Sequence, residues 1–172
     1  NIVTARARYQ TYKDAATRYG PYGFYAFVLG QGRGRARFRA RLGREAEDAI
    51  DEFLPLCEKR GAAVLVGGGF NSGILATGAK PGAKYNYSPA PAHIMEKVAK
   101  IEAVCAEFNV PLAAAALQFV VAHPAIPSFC AGTRTVEQLN QNLEWFSHKI
   151  PAEFWATLKK TNLLRENAPV PQ

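Results

Sequence analysis

Residues 62–73 read AAVLVGGGFNSG, and the fold class turns on how that stretch is parsed. Residues 62–66 form a short unbroken apolar run, which suits a strand covered on both faces. Gly67, Gly68 and Gly69 follow at once, then Phe70, Asn71, Ser72 and Gly73. A strand that runs straight into a glycine-rich loop presents backbone N–H groups with no side chain in the way, a geometry suited to a phosphate. The stretch matches neither G-x-G-x-x-G nor the P-loop pattern, and a plain flexible loop uses the same residues.

The pattern continues outward in both directions. Upstream, residues 45–60 place Ala46, Ala49, Ile50, Phe53, Leu54 and Cys57 on one helical stripe, and Gly61 stands where a left-handed residue closes a helix. Glu45, Glu47, Asp48, Asp51 and Glu52 crowd the start of that helix, where carboxylates complement its dipole. Downstream, residues 79–91 are rich in Pro, Gly, Tyr and Asn and read as a long surface loop. Ile94, Val98, Ile101, Cys105 and Phe108 then mark a helix over residues 92–108. Pro111 opens a second helix to residue 123 that is apolar nearly all round, and Pro124 stops it. Residues 126–130 are a second short buried strand. Thr135 and Gln138 have capping-box spacing for a helix over 135–146, and Phe154, Trp155 and Leu158 lie on a last helix over 151–163.

Helix, strand, loop, two helices, strand and two helices is the order of the closing part of a parallel α/β protein. Two strands cannot form a parallel sheet covered on both faces, and an eight-stranded barrel takes about 250 residues. The expected fold class is therefore α/β, the closing portion of a parallel α/β protein, incomplete, over residues 45–172. The two strands are expected to lie parallel in one sheet, with an open edge through which the chain would self-associate unless another segment covers it.

Residues 1–44 form a different compositional regime. They hold ten Lys and Arg against one acid, Asp14, a balance of +9, whereas residues 45–172 hold eleven bases against thirteen acids, a balance of −2. Residues 23–29 suit one strand. Residues 30–44 read GQGRGRARFRARLGR, with Arg at every second position from Arg33 to Arg41, and are expected to be irregular because a strand so spaced lines one face with guanidinium groups. Such an arm would neutralise phosphates, so a polyanion- or nucleic-acid-binding protein on a half-barrel scaffold is the alternative functional class. The same alternation is also what a shifted reading frame of a GC-rich gene yields.

Composition excludes other classes. No run reaches the roughly 18 apolar residues of a membrane-spanning helix, and no signal-peptide pattern opens the sequence. Cys57, Cys105 and Cys130 include no CxxC, and His93, His123 and His148 lack metal-ligand spacing, so a cytoplasmic protein without a metal centre is expected. Cys57 and Cys105 fall on apolar stripes and read as core residues.

A second loop carries chemistry. Ala131, Gly132, Thr133, Arg134 and Thr135 lie between a buried strand and the amino end of a helix, where an anion would meet free N–H groups, the helix dipole and the Arg134 guanidinium together. The plain alternative is a Thr135 cap with Arg134 in solvent.

GAAVLVGGGFNSGILATG at residues 61–78, YNYSPAP at 85–91 and PLAAAALQFVVAHPAIPSFCAGTRTVEQLNQNL at 111–143 together resemble the carboxy-terminal part of an aldo-keto reductase. The similarity is to the bacterial branch of sugar and pyridoxal dehydrogenases that includes L-fucose and D-threo-aldose 1-dehydrogenases, and it runs from about residue 50 to 169. The resemblance implies that residues 45–172 are the carboxy-terminal portion of a (β/α)8 barrel, incomplete, with a bound nicotinamide dinucleotide and a small sugar or aldehyde as substrate. It implies that Gly69, Phe70, Asn71, Ser72 and Gly73 wrap the pyrophosphate and that Gly132, Thr133 and Arg134 hold the adenosine phosphate. Gln138, Gln141 and Asn142 match positions facing the adenine and its ribose. Gly132 and Gln138 stand where NADP-preferring members carry Lys and Arg, which favours NAD, with Arg134 as a substitute cation that keeps NADP open. The family's hydride-transfer set of Asp, Tyr, Lys and His is not recovered in order: the only Asp residues are Asp14, Asp48 and Asp51, and the first His is His93. No catalytic residue is nominated, and a cofactor-binding half without its catalytic half is the expectation.

Overall fold

The computed structural model describes residues 24–30, 35–40, 54–59 and 61–172. The chain divides into two compact units, Asn1–Gly67 with Pro124–Cys130 and Gly68–His123 with Ala131–Gln172.

The first unit is built on a four-stranded sheet in the order β2 (Arg35–Ala40), β1 (Phe24–Gly30), β3 (Ala62–Gly67) and β6 (Ser128–Cys130). Strands β1 (Phe24–Gly30) and β2 (Arg35–Ala40) pair antiparallel, with Tyr25 opposite Arg39, Phe27 opposite Arg37 and Leu29 opposite Arg35. The strand expected at 23–29 is present, but the irregular course expected for the arginine-rich stretch is not found over residues 35–40. Arginine at every second residue is already the period of a strand, and the neighbouring β1 supplies the ladder partner that an isolated segment lacks. The rest of the readings on residues 1–44, and the helical stripe over 45–53, lie outside the described residues.

Helix α1 (Leu54–Lys59) buries Leu54 and Cys57 on the expected stripe. Gly61 closes it with φ 61, its N–H donating to the Glu58 carbonyl at 3.0 Å. Strand β3 (Ala62–Gly67) follows, paired antiparallel to β1 and parallel to β6 (Ser128–Cys130), as the two short apolar runs predict. The sheet is mixed, because β1 covers the side of β3 away from β6. The second strand is shorter than expected: Ala125 and Ile126 are buried ahead of it, and the Ala125 carbonyl accepts from the Val64 N–H at 2.7 Å.

The second unit is helical. Helices α3 (Ala92–Glu107), α4 (Leu112–Val121) and α6 (Ala152–Lys160) follow the three predicted stripes within a few residues. Each follows a proline, Pro91, Pro111 or Pro151, in extended conformation. That position suits proline, which has no N–H to leave unpaired. After α3 and α6 the chain turns through Asn109 and Asn162 at φ 53 and 56. Val110 N–H and Leu163 N–H then reach back to the carbonyls of Cys105 and Leu158, the Schellman arrangement. The core joins Val104, Cys105, Val110, Ala115, Phe154, Trp155 and Leu158. Phe154 is its centre, fully buried, with edge-to-face contacts to Phe108 and Trp155 at centroid distances of 6.0 and 5.0 Å. Trp155 stacks on Phe119, and its indole N–H has no hydrogen-bond partner.

One feature of this unit differs from expectation, and another goes beyond it. The loop expected over 79–91 contains a small hairpin, β4 (Lys84–Tyr85) and β5 (Ser88–Pro89), turned through Asn86 and Tyr87 at φ 50 and 65. Two successive left-handed residues are the signature of a type I′ connection. Helix α5 (Val136–Ser147) forms where predicted but buries none of its residues. Val136, Leu139, Leu143 and Phe146, at helical spacing, remain 48–68% exposed as one apolar ridge.

Among the described residues no single helix is long and apolar enough to cross a membrane, and no three His, Cys, Asp or Glu side chains converge as metal ligands. All three cysteines are free, Cys57 and Cys105 buried and Cys130 exposed. Burial, with the Glu102 carboxylate second, pushes the Cys105 thiol up to about 11, and burial raises Cys57 as well. Because the Cys105 thiol holds its proton more tightly when folded, its contribution to stability is complete below pH 9 and is lost as pH rises towards 11. With a thiol-reactive aryl disulfide at pH 8, Cys130 is expected to react at once and the other two only on unfolding. Three rapid equivalents in the native protein would contradict this.

Candidate functional site

The glycine loop and the exit loop both belong to the second unit. In the first, Asn71 N–H donates to the Gly68 carbonyl at 2.8 Å and Gly73 N–H to the Phe70 carbonyl at 3.0 Å, a tight double turn. It leads into helix α2 (Ile74–Thr77). Asn71, Ser72 and Gly73 are successive left-handed residues, at φ 43, 58 and 98. Glycine bears this freely, whereas a side chain there costs about 1–2 kcal/mol, so something must hold Asn71 and Ser72 in place.

The hairpin does so. Asn86 N–H donates to Asn71 Oδ1 at 2.9 Å, and Tyr87 N–H donates to Ser72 Oγ at 2.8 Å. Asn71 is 5% exposed. The loop's two polar side chains are thus turned towards the hairpin backbone, and what the loop can offer a ligand is main chain. At its far end the Glu102 carboxylate on α3 accepts from Ala79 N–H at 2.9 Å and lies directly over Gly78.

The exit loop is capped from within. Thr135 Oγ1 accepts from Gln138 N–H at 3.3 Å, the expected first half of a capping box. The return bond is shifted by one residue, because Gln138 Oε1 accepts from Arg134 N–H at 2.8 Å instead of from Thr135. The Glu137 carboxylate is held below its ordinary range by its own backbone N–H and, second, by the Thr135 hydroxyl. The free N–H groups expected at this helix start are therefore partly taken, and a negative charge already sits on the dipole. Sequence reading passed over Glu137, although an acid in the first helical turn is the usual complement to the dipole. Gly132, Thr133 and the Arg134 side chain are exposed, and no atom lies within 4 Å of where a Cβ on Gly132 would stand.

Trp145 links the glycine loop to the helix that follows the exit loop. Its ring meets Phe70 edge-on at a centroid distance of 5.9 Å, tying the glycine loop to α5. Gln138, Gln141 and Asn142 precede Trp145 by seven, four and three residues and so share its side of the helix. Gln138 and Gln141 are exposed and Asn142 half-buried; Gln141 Nε2 donates to Glu144 Oε2 at 2.9 Å. From α4, Gln118 Nε2 donates to the carbonyls of Trp145 and His148 at 3.0 and 2.7 Å and secures the end of α5. Neither Trp145 nor Gln118 stands out in the sequence as a site residue: Trp145 looks like an ordinary member of an amphipathic helix, and Gln118 is the one polar residue of the otherwise apolar α4.

The resulting site is a backbone-lined loop, an exposed Gly-Thr-Arg exit and an amide-rich helix face held together by one aromatic contact. The Aldo/keto reductase family model matches residues 45–163. The chain belongs to the aldo/keto reductase family. Relatives of this aldo/keto reductase include pyridoxal 4-dehydrogenase of Microbacterium luteolum, 47% identical over 113 residues, which cover 66% of this chain and 33% of that protein. D-threo-aldose 1-dehydrogenase of a Pseudomonas species is 34% identical over 119 residues, 69% of this chain and 36% of the relative. An aryl-alcohol dehydrogenase of Pestalotiopsis microspora is 31% identical over 119 residues, 67% of this chain and 31% of the relative. Among solved structures, the holo form of an aldo-keto reductase from Bacillus halodurans superposes with a TM-score of 0.50 at 24% identity. That superposition covers 71% of this chain and 40% of the other, a likeness of fold. This aldo/keto reductase chain thus spans about a third of the length of the curated relatives it matches.

Proposed function

We propose that this aldo/keto reductase chain binds a nicotinamide dinucleotide, NAD in preference to NADP, as the cofactor-binding part of a dehydrogenase of small sugars or aldehydes. The Phe70–Trp145 contact carries the reading, because it sets the glycine loop beside the helix face bearing Gln138, Gln141 and Asn142. The donor set fits a dinucleotide: main-chain groups of residues 69–73 for a pyrophosphate, Gly132, Thr133 and Arg134 for an adenosine phosphate, and neutral amides for adenine and ribose. Gly132 and Gln138 add no cation, and Glu137 places a carboxylate at the start of α5, which disfavours a further phosphate there. When bound, the cofactor would accept or supply the hydride; this chain's residues bind and orient it. The names of the pyridoxal and aldose dehydrogenases support the substrate class.

In the same reading the architecture is a partial (β/α)8 barrel, β6 is the sheet edge at which another strand or chain would pair, and a reducing cytoplasm suits the three free thiols. Beyond the alternate arginines of β2, no described feature favours the polyanion-binding alternative, which rests on the composition of residues 1–44.

Calorimetric titration tests the proposal. NAD is expected to bind more tightly than NADP, and Arg134→Ala to weaken NAD roughly ten- to a hundredfold, the value of one charge-assisted hydrogen bond. Equal affinity in the two proteins would remove Arg134 from the site, and no binding of either nucleotide would overturn the reading.

A further inference from the structure

We propose that the hairpin of residues 84–89 is a positioning element for the nucleotide loop, acting through the backbone amides of Asn86 and Tyr87. The inference rests on the nucleotide-binding reading above and adds a part to it. Two left-handed pairs face each other: Asn71 and Ser72 in the loop, Asn86 and Tyr87 in the hairpin turn. Each is joined to its opposite number by one hydrogen bond, from amide to side-chain oxygen, at 2.9 and 2.8 Å. The two turns therefore hold each other in shape. If either relaxes to ordinary right-handed or extended backbone, the amide and its acceptor part, and the main chain of residues 69–73 loses the conformation that a pyrophosphate needs. A ligand that requires the set loop must then also stabilise the hairpin, since coupling between two sites is reciprocal.

The Tyr87 side chain is 70% exposed, so the turn can be altered without disturbing the helical core. Tyr87→Pro removes the N–H that reaches Ser72 and cannot adopt positive φ. Tyr87→Gly keeps the N–H and fits the left-handed turn better. In the 172-residue chain, Tyr87→Pro is expected to weaken NAD about tenfold with the thermal midpoint little changed, and Tyr87→Gly to restore affinity. Amide exchange at Asn86 and Tyr87, followed by NMR, is expected to slow in the wild type on saturation with NAD.

Wild-type affinity in Tyr87→Pro, or hairpin amides indifferent to NAD, would overturn the inference alone. Loss of affinity in Tyr87→Gly as well would assign the effect to the tyrosine ring and also overturn it. Failure of the wild type to bind NAD would overturn the nucleotide reading, and this inference with it.

Discussion

Phe154→Ala is expected to lower unfolding stability by about 3–5 kcal/mol, the usual cost of emptying a fully buried aromatic site. Phe154 has no exposed surface and makes ring contacts with Phe108 and Trp155. It also lies in the cluster through which α3, α4 and α6 pack. Truncation leaves a cavity that three helices must close over, and the neighbouring Ala115 offers little side chain to fill it. Phe154→Leu keeps most of the volume and should cost less than half as much. Denaturant unfolding followed by far-ultraviolet circular dichroism gives both numbers. A loss under about 1 kcal/mol in the alanine variant would mean that Phe154 is not the centre of this core.

Gly78→Ala is the second large effect. Gly78 adopts φ 86 and ψ −177, a region open essentially to glycine alone, and any other residue held there costs about 1–3 kcal/mol. An added methyl group would also strike the Glu102 carboxylate, displacing it from Ala79 N–H. Losing that charge-assisted bond adds about 1.5–3 kcal/mol. The two costs separate in a double-mutant cycle. In a Glu102→Ala background the methyl group has room, so Gly78→Ala should there cost only the backbone part. Strict additivity of the two substitutions, measured by thermal and denaturant melts, would show that the carboxylate does not obstruct position 78.

What could be read from sequence followed the strength of each local signal. The helices α3, α4 and α6 were legible because Pro91, Pro111 and Pro151 mark their starts and their apolar residues recur at helical spacing. Strands β3 and β6 were legible because short apolar runs before Gly-containing loops have few other uses. The hairpin at 84–89 was not, since a type I′ turn is normally announced by Asn-Gly and here reads Asn86-Tyr87; the stabilising bonds come from Asn71 and Ser72, fifteen residues upstream. Strand β2 was missed because nothing in an arginine-rich segment predicts a partner, which β1 provides. In the candidate site, the loop and exit segments are marked in the sequence by their glycines and Arg134. Yet Asn71 and Ser72 prove to direct their side chains at the hairpin, and the Phe70–Trp145 contact that joins the parts spans 75 residues of chain. No periodicity encodes a pairing at that range.

The two tryptophans, Trp145 and Trp155, are the chain's only indoles, and they sit in unlike surroundings. Trp155 is 3% exposed in the helical core, where its N–H finds no acceptor, whereas Trp145 is half-buried, in contact with Phe70 of the glycine loop. An indole shielded from water emits at shorter wavelength than one in partial contact with it, so Trp155 is expected to emit to the blue of Trp145. A change confined to the bluer emission would report on helical packing, and one confined to the redder emission on the surroundings of the loop beside Phe70.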